Sequence, residues 1–131
     1  MKNNPRILIV DDMESIRKIL STALASEGHD ITTAANGADA LVKILDAPYD
    51  IVLTDMEMPV IDGPQLIAEL QQIRPATAIV GMTGGLAPDV LELEQRRLGI
   101  AALLAKPPDL GHLRATIQNV APNPALSRSA A

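Results

Sequence analysis

Two apolar segments of this 131-residue chain end in carboxylates. Residues 6–10 are followed by Asp11 and Asp12, and residues 50–54 are followed by Asp55. Each segment has the length of one buried strand of a parallel sheet. The carboxyl ends of parallel strands meet at one edge of the sheet, where ligands bind, so we expect the three carboxylates to lie close together. Such a cluster is unfavourable unless a cation neutralises it.

Two further apolar segments end in polar residues of a different kind. Residues 78–82 are followed by Thr83, and residues 101–105 are followed by Lys106. A hydroxyl and an ammonium group at the same edge of the sheet are suited to hold the oxygens of a phosphoryl group. Together with the carboxylates, these residues predict a site for a hard divalent cation and a phosphoryl group.

The acidic residues of this cluster have two predicted roles. Mg²⁺ takes few protein oxygens and readily accepts a phosphate oxygen, so we expect Asp11, Asp12 and Asp55 to bind it, with the backbone carbonyl of Glu57 as a further ligand. Asp55 can also act as a nucleophile and form an aspartyl phosphate. Lys106, Thr83 and backbone N–H groups near Met56 and Gly84 would then stabilise the phosphoryl oxygens.

The composition excludes several classes of function. The chain carries a net charge of −5 and no basic stripe, which argues against direct DNA binding and against binding to an anionic membrane. It has no cysteine, so a thiolate metal site is excluded. The apolar segment near the N-terminus is too short for a signal peptide or a membrane span, and we expect a cytoplasmic protein. With one aromatic residue, Tyr49, the core must be aliphatic.

Between the strands, apolar residues recur with helical spacing and predict five helices. Gly28, Arg74-Pro75 and Gly99 are helix-ending signals, and Asn36 and Asp62 are N-cap candidates. The predicted buried faces are Ile16, Ile19, Leu20, Ala23 and Leu24; Leu41, Ile44 and Leu45; Leu66, Ile67, Leu70 and Ile73; Val90, Leu91 and Leu98; and Leu110, Leu113, Ile117 and Val120.

This alternation predicts an α/β fold, a doubly wound five-stranded parallel sheet with five helices. Short connections leave no room for a second domain within residues 1–120. Residues 121–131 are small and polar with two prolines, and predict a flexible tail. A linker to another domain is the alternative for this segment.

The chain resembles the receiver domain of two-component response regulators over residues 6–120. The matching stretches are ILIVDD at 7–12, LTDMEMPVIDG at 53–63, MTG at 82–84 and AKP at 105–107. The resemblance implies a flavodoxin-like strand order 2-1-3-4-5, Asp55 as phosphoacceptor, Asp11 and Asp12 as magnesium ligands, and Thr83 and Lys106 as phosphoryl contacts. It also implies a cis peptide between Lys106 and Pro107.

Three positions depart from the family pattern. Leu103 stands where the family usually has Tyr or Phe, so an aromatic side chain cannot report the state of Thr83. Glu57 places a carboxylate two residues after the acceptor, within reach of attacking water, a cation or a partner. Gly84-Gly85 makes the loop after Thr83 unusually free, and we expect it to be poorly ordered at rest.

The favoured interpretation is a stand-alone receiver that takes a phosphoryl group from a sensor histidine kinase and signals to a downstream effector protein by protein contact. It would catalyse only its own Mg²⁺-dependent phosphorylation and dephosphorylation, and would not be an enzyme otherwise. One alternative is a phosphorelay intermediate that passes the group to a histidine phosphotransfer protein.

Three other interpretations are weaker. An aspartyl-phosphate phosphatase would use Glu57 as general acid, but such enzymes need a cap or substrate pocket that no insertion here could build. A pure binding module would have no use for the complete set of acids, threonine and lysine. His29 and His112 lie in turn and helix contexts, and we expect them to be exposed and not to carry phosphate.

Overall fold

The computed structural model describes residues 5–120, in which five strands alternate with five helices. Their bounds are β1 Arg6–Val10, α1 Glu14–Ala25, β2 Asp30–Ala34, α2 Gly37–Asp46, β3 Ile51–Asp55, α3 Gly63–Ile73, β4 Ala78–Thr83, α4 Pro88–Leu98, β5 Ala102–Ala105 and α5 Leu110–Val120. The five strands form one sheet in the order β2-β1-β3-β4-β5, and every strand pair is parallel. The predicted fold class and strand order are confirmed.

The register of the sheet brings the ends of the strands to one edge. Val10, the last residue of β1, pairs with Thr54, and Asp55 pairs with Met82 near the end of β4. Thr83 pairs with Ala105, the last residue of β5. Because all strands point the same way, the residues that follow them share the crevice where the strand order reverses, between β1 and β3.

The helices bury both faces of the sheet. Alternate residues of β1 enter different cores, Ile7 and Ile9 on one side and Leu8 and Val10 on the other. The first core contains buried residues of α1 and α5, and the second contains buried residues of α2 and α3, with Leu91 and Leu98 of α4 packed against it. A strand that is covered on both faces needs apolar residues at consecutive positions, and this explains the continuous apolar segments of the sequence.

Local signals set the helix ends as predicted. The Asn36 side chain accepts a hydrogen bond from the backbone N–H of Asp39 at the start of α2. Asp62 and Gln65 form a reciprocal capping box at the start of α3. Gly99 ends α4 in the left-handed conformation, with φ of 68°.

Several predicted buried positions are exposed. Ile19 of α1 is 54% exposed and Leu45 of α2 is 64% exposed, because each helix buries a narrower stripe than its apolar residues suggest. No residue of α4 is fully buried, although Leu91 and Leu98 are partly covered. His112 is exposed as expected, whereas His29 is half-buried.

One prediction falls outside this description. The predicted tail at 121–131 lies beyond the described residues. Within 5–120, no helix is long and apolar enough to cross a membrane.

Replacing Gly63 by alanine should destabilise the fold, because its Cβ would lie 2.5 Å from Met56 Cα and 2.9 Å from the backbone oxygen of Asp55. The contacts are with backbone, which cannot rotate away, so we expect a loss of about 1–3 kcal/mol. The matched control is Gly111→Ala in α5, where the nearest atom would be Asp109 Oδ2 at 3.6 Å. Urea unfolding should leave that control as stable as the parent or more so. Equal stability of the two variants would contradict the packing described here.

Candidate functional site

One ammonium group joins two buried carboxylates at the carboxyl edge of the sheet. Lys106 Nζ lies 2.9 Å from Asp11 Oδ2 and 2.9 Å from Asp55 Oδ2. Asp11 is completely buried, Asp55 is 2% exposed, and the lysine side chain is 17% exposed. The predicted convergence of Asp11, Asp55 and Lys106 at the carboxyl ends of β1, β3 and β5 is present in the structure.

Backbone N–H groups fix the other oxygen of each carboxylate. Asp11 Oδ1 accepts from the N–H of Met13 at 2.9 Å, and Asp55 Oδ1 accepts from the N–H of Glu57 at 3.1 Å. Each carboxylate is therefore held by one backbone donor and by Lys106. The site is preorganised, with the Oδ2 atoms of both acids turned towards the lysine.

This environment shifts the ionisation of two of its members. Burial raises the pKa of Asp55, and the negative charge of Asp11 adds to this, while the hydrogen bonds from Lys106 and from the Glu57 N–H act in the opposite direction. Burial alone would lower the pKa of Lys106, but the hydrogen bonds and charges of Asp11 and Asp55 outweigh it, and the pKa lies above its usual value. Lys106 is therefore a permanent cation at neutral pH.

Asp12 completes an acidic cluster that is suited to a metal ion. Ligand oxygens of Asp11, Asp12 and Asp55 all lie within 4.8 Å of one another. Asp12 is exposed and makes no hydrogen bond or ion pair with any residue of the 5–120 range. It does not cap α1, whose N-cap is Met13 and has no side-chain hydrogen bond. An all-oxygen set with one acid left unneutralised fits Mg²⁺.

Thr83 reaches the site from β4, but its hydroxyl is occupied. Thr83 Oγ1 donates to Glu57 Oε2 at 2.8 Å, and the N–H of Gly84 donates to Glu57 Oε1 at 3.3 Å. The Thr83 backbone also contacts the residue that follows β5, since the N–H of Lys106 donates to the carbonyl of Thr83 at 2.9 Å. The sequence marked Glu57 as unusual without indicating these partners.

The backbone donors predicted near Met56 are already in use. The N–H of Met56 donates to the carbonyl of Met82 at 2.9 Å, which extends the β3–β4 ladder by one residue. The next N–H, that of Glu57, donates to Asp55 itself. The Gly84 N–H differs from these two donors. It donates to the side chain of Glu57, which is exposed and can move away.

Leu103 lies inside the core behind the site. It is 7% exposed, and its Cδ1 is close enough to β4 that a Cβ on Gly81 would meet it at 2.9 Å. The peptide between Lys106 and Pro107 is cis, as the resemblance implies.

Comparison with known proteins agrees with this geometry. The sequence profile of the response regulator receiver domain matches residues 7–118. The chain belongs to this family. It is a receiver domain of the two-component response regulators.

Individual relatives cover different shares of the chain. A response regulator receiver protein of Anaeromyxobacter is 39% identical over 102 residues, which are 78% of this chain and 42% of that protein. The sporulation initiation phosphotransferase F of Bacillus subtilis is 33% identical over 119 residues, 91% of this chain and 95% of that protein. The chemotaxis protein CheY4 of Vibrio cholerae superposes with a TM-score of 0.80 at 31% identity, covering 89% of this chain and 98% of that one.

Several relatives are much longer than the matched region. The chain spans 42% of the Anaeromyxobacter protein and 24% of each of two regulatory proteins of Escherichia coli that it also matches, GlrR and AtoC. What those whole proteins do is therefore not carried over.

Replacing Asp12 by alanine should separate metal binding from folding. Without Mg²⁺ we expect the variant to be slightly more stable than the parent, by a few tenths of a kcal/mol, because one of three neighbouring negative charges is gone. The parent should gain about 2.7 kcal/mol at a Mg²⁺ concentration of 100 times its Kd, and the variant should lose most of that gain. Thermal melts with and without Mg²⁺ measure both effects.

Glu69→Ala is the matched control, because Glu69 is an exposed acid of α3 outside the acidic cluster. It should keep the full gain. A full Mg²⁺-dependent gain in Asp12→Ala would place the metal elsewhere.

Proposed function

We propose that Asp55 accepts a phosphoryl group from a phosphohistidine of a sensor histidine kinase, in a Mg²⁺-dependent reaction. The observation that carries this proposal is the position of the Asp55 carboxylate. It is buried at the end of the central strand β3, 2.9 Å from Lys106 Nζ, and belongs to the cluster with Asp11 and Asp12. A cytoplasmic location, as predicted from the sequence, is part of the proposal.

In the proposed reaction, an Asp55 carboxylate oxygen attacks the phosphorus atom. The new O–P bond replaces the P–N bond of the donor, and the electron pair of that bond goes to the imidazole. Lys106 neutralises the charge on the transferred group, and Thr83 and Gly84 donate hydrogen bonds to its oxygens. Asp11, Asp12, Asp55 and the backbone carbonyl of Glu57 would hold Mg²⁺, which would supply positive charge for the phosphoryl oxygens.

We propose that the signal leaves through a protein contact at α4, β5 and α5. The N-cap of α4, Ala87, makes no side-chain hydrogen bond. The exposed apolar residues of this region are Leu86 just before α4, and Val90 and Leu93 within α4. A helix held by so few buried contacts is easily reorganised when Thr83 and Gly84 move, and Leu103 cannot report that movement by an aromatic rotation.

A phosphorelay intermediate is the second candidate. It is supported by the similarity to a Bacillus subtilis protein that is itself named a phosphotransferase and that aligns over 95% of its length. Transfer of the group from Asp55 to a histidine phosphotransfer protein would distinguish this role from that of a receiver acting on an effector. A dedicated phosphatase is not favoured, because no cap is present within residues 5–120 and the Glu57 carboxylate is bound to Thr83.

Asp55→Asn should abolish phosphorylation. With acetyl phosphate or phosphoramidate and Mg²⁺, the parent should gain one phosphoryl group. The variant should gain none, because its uncharged carboxamide cannot replace the carboxylate as a nucleophile. Intact-protein mass spectrometry measures the change. Asp46→Asn, at the exposed end of α2, is the control and should label like the parent. Labelling of Asp55→Asn to the parent level would rule out the assignment.

Beryllofluoride, a mimic of the phosphoryl group, should alter hydrogen exchange in one region. Amide protection should rise across 83–98, because the mimic should hold the loop after β4 more firmly than Glu57 does, and this stabilises the weakly packed α4. Helix α1, residues 14–25, makes its contacts on the opposite face of the sheet and should change little. If 83–98 exchanges equally in both states, the proposed output through α4 is wrong.

A further inference from the structure

The side chain of Glu57 holds the two loop donors that a phosphoryl group on Asp55 would need. Its carboxylate accepts from Thr83 Oγ1 at 2.8 Å and from the N–H of Gly84 at 3.3 Å. A threonine hydroxyl has one proton, so Thr83 cannot donate to Glu57 and to a phosphoryl oxygen at the same time. In the resting protein these donors already serve an anion.

The other donors near the acceptor offer no substitute. The N–H of Met56 is bound to the carbonyl of Met82, and the N–H of Glu57 is bound to Asp55 Oδ1. Lys106 donates to Asp55 and Asp11, so one of its three protons is left for a phosphoryl group, which has more oxygens than one donor can serve. A phosphoryl group must therefore recruit Thr83 and Gly84, and it must take them from Glu57.

We propose that the Glu57 carboxylate is an internal competitor of the phosphoryl group. It occupies the Thr83 hydroxyl and the Gly84 N–H at rest, and it has to leave both when Asp55 is phosphorylated. This inference rests on the function proposed above. The Thr83 hydroxyl and the Gly84 N–H have one proton each and cannot serve Glu57 and a phosphoryl group fully at the same time, and the two anions repel each other. Glu57 is exposed, so its released carboxylate returns to water at little desolvation cost.

Two consequences follow for the site. The affinity for a phosphoryl group is lower than the donor set alone would give, because part of the binding free energy is used to displace Glu57. The β4–α4 loop is also held in its resting position by the Glu57 contacts. The displacement that admits the phosphoryl group therefore transfers Thr83 and Gly84 from Glu57 to the phosphoryl oxygens and moves the loop with them. Glu57 is thus a positioning residue that couples occupancy of Asp55 to movement of Thr83 and Gly84.

The first test measures binding of beryllofluoride in the presence of Mg²⁺ by two-dimensional NMR. Glu57→Gln keeps an oxygen that can accept from Thr83 but removes the charge, and hydrogen bonds to charged acceptors are roughly twice as strong as neutral ones. We expect Glu57→Gln to bind beryllofluoride about fivefold to tenfold more tightly than the parent. Glu57→Ala should bind it at least as tightly as Glu57→Gln. Phosphorylation by phosphoramidate should accelerate in the same order.

The control for net charge is Glu69→Gln on the exposed surface of α3. It removes one negative charge without touching the loop, and its affinity should stay within about twofold of the parent, since charges more than a Debye length away are screened. Unchanged or weaker binding in both Glu57 variants would overturn the proposal.

A second readout needs neither metal nor phosphoryl mimic. The Gly84 amide should be protected from hydrogen exchange in the parent, less protected in Glu57→Gln and least in Glu57→Ala, because the acceptor is weakened and then removed. Equal exchange of Gly84 in the parent and in Glu57→Ala would mean that the resting contact does not form in solution, and the proposal would be wrong.

A double-mutant cycle separates competition from a general effect of charge. In a Thr83→Ala background the hydroxyl is gone, so the gain in beryllofluoride affinity from Glu57→Gln should fall well below the gain in the parent background. An equal gain in both backgrounds would overturn the competition for Thr83. Weaker binding of Mg²⁺ alone by Glu57→Gln would instead make the side chain a metal ligand, and would also overturn the proposal.

The outcomes distinguish this inference from the proposed function. If the parent neither binds beryllofluoride nor becomes labelled, the proposed function fails and the inference fails with it. If the parent does both while the Glu57 variants show no gain, only the inference fails.

Discussion

The bridge from Lys106 to Asp11 and Asp55 is the interaction on which the site depends. Burial and mutual repulsion both disfavour the ionised forms of Asp11 and Asp55. The ammonium group of Lys106 compensates for one of the two negative charges. With exposed Asp12 added, the cluster retains an excess of negative charge. That excess would favour binding of a divalent cation. Lys106 places a positive charge beside Asp55, the proposed nucleophile, before any ligand arrives.

The chemistry follows from the topology because parallel strands deliver their last residues to one edge. The sequence therefore predicted the convergence of Asp11, Asp55, Thr83 and Lys106 without any knowledge of side-chain rotamers: each follows or ends an apolar strand, and the register fixes where that strand stops. The same argument predicts a cation and a phosphoryl group at this edge of the sheet. It depends only on backbone direction, which the apolar segments determine well.

Features that depend on rotamers or on the width of a packing surface could not be predicted in this way. The Glu57 side chain has several free torsions on an exposed loop, and its contact with Thr83 becomes visible only when both strands are in place. The use of the Met56 N–H in the ladder depends on one extra residue of pairing. Ile19 and Leu45 have the spacing of buried residues, but periodicity does not tell how much of each helix its neighbours cover.

The two halves of the site have different mechanical properties, and this difference explains how a small chemical change could travel. The half formed by Asp11 and Asp55 is buried and fixed by backbone donors and Lys106. The other half depends on one exposed carboxylate, and it leads directly into α4, which has no fully buried residue. Movement is therefore easiest on the side that faces α4. A phosphoryl group that draws Thr83 towards the fixed half would shift the adjustable half and leave the core of the sheet unchanged.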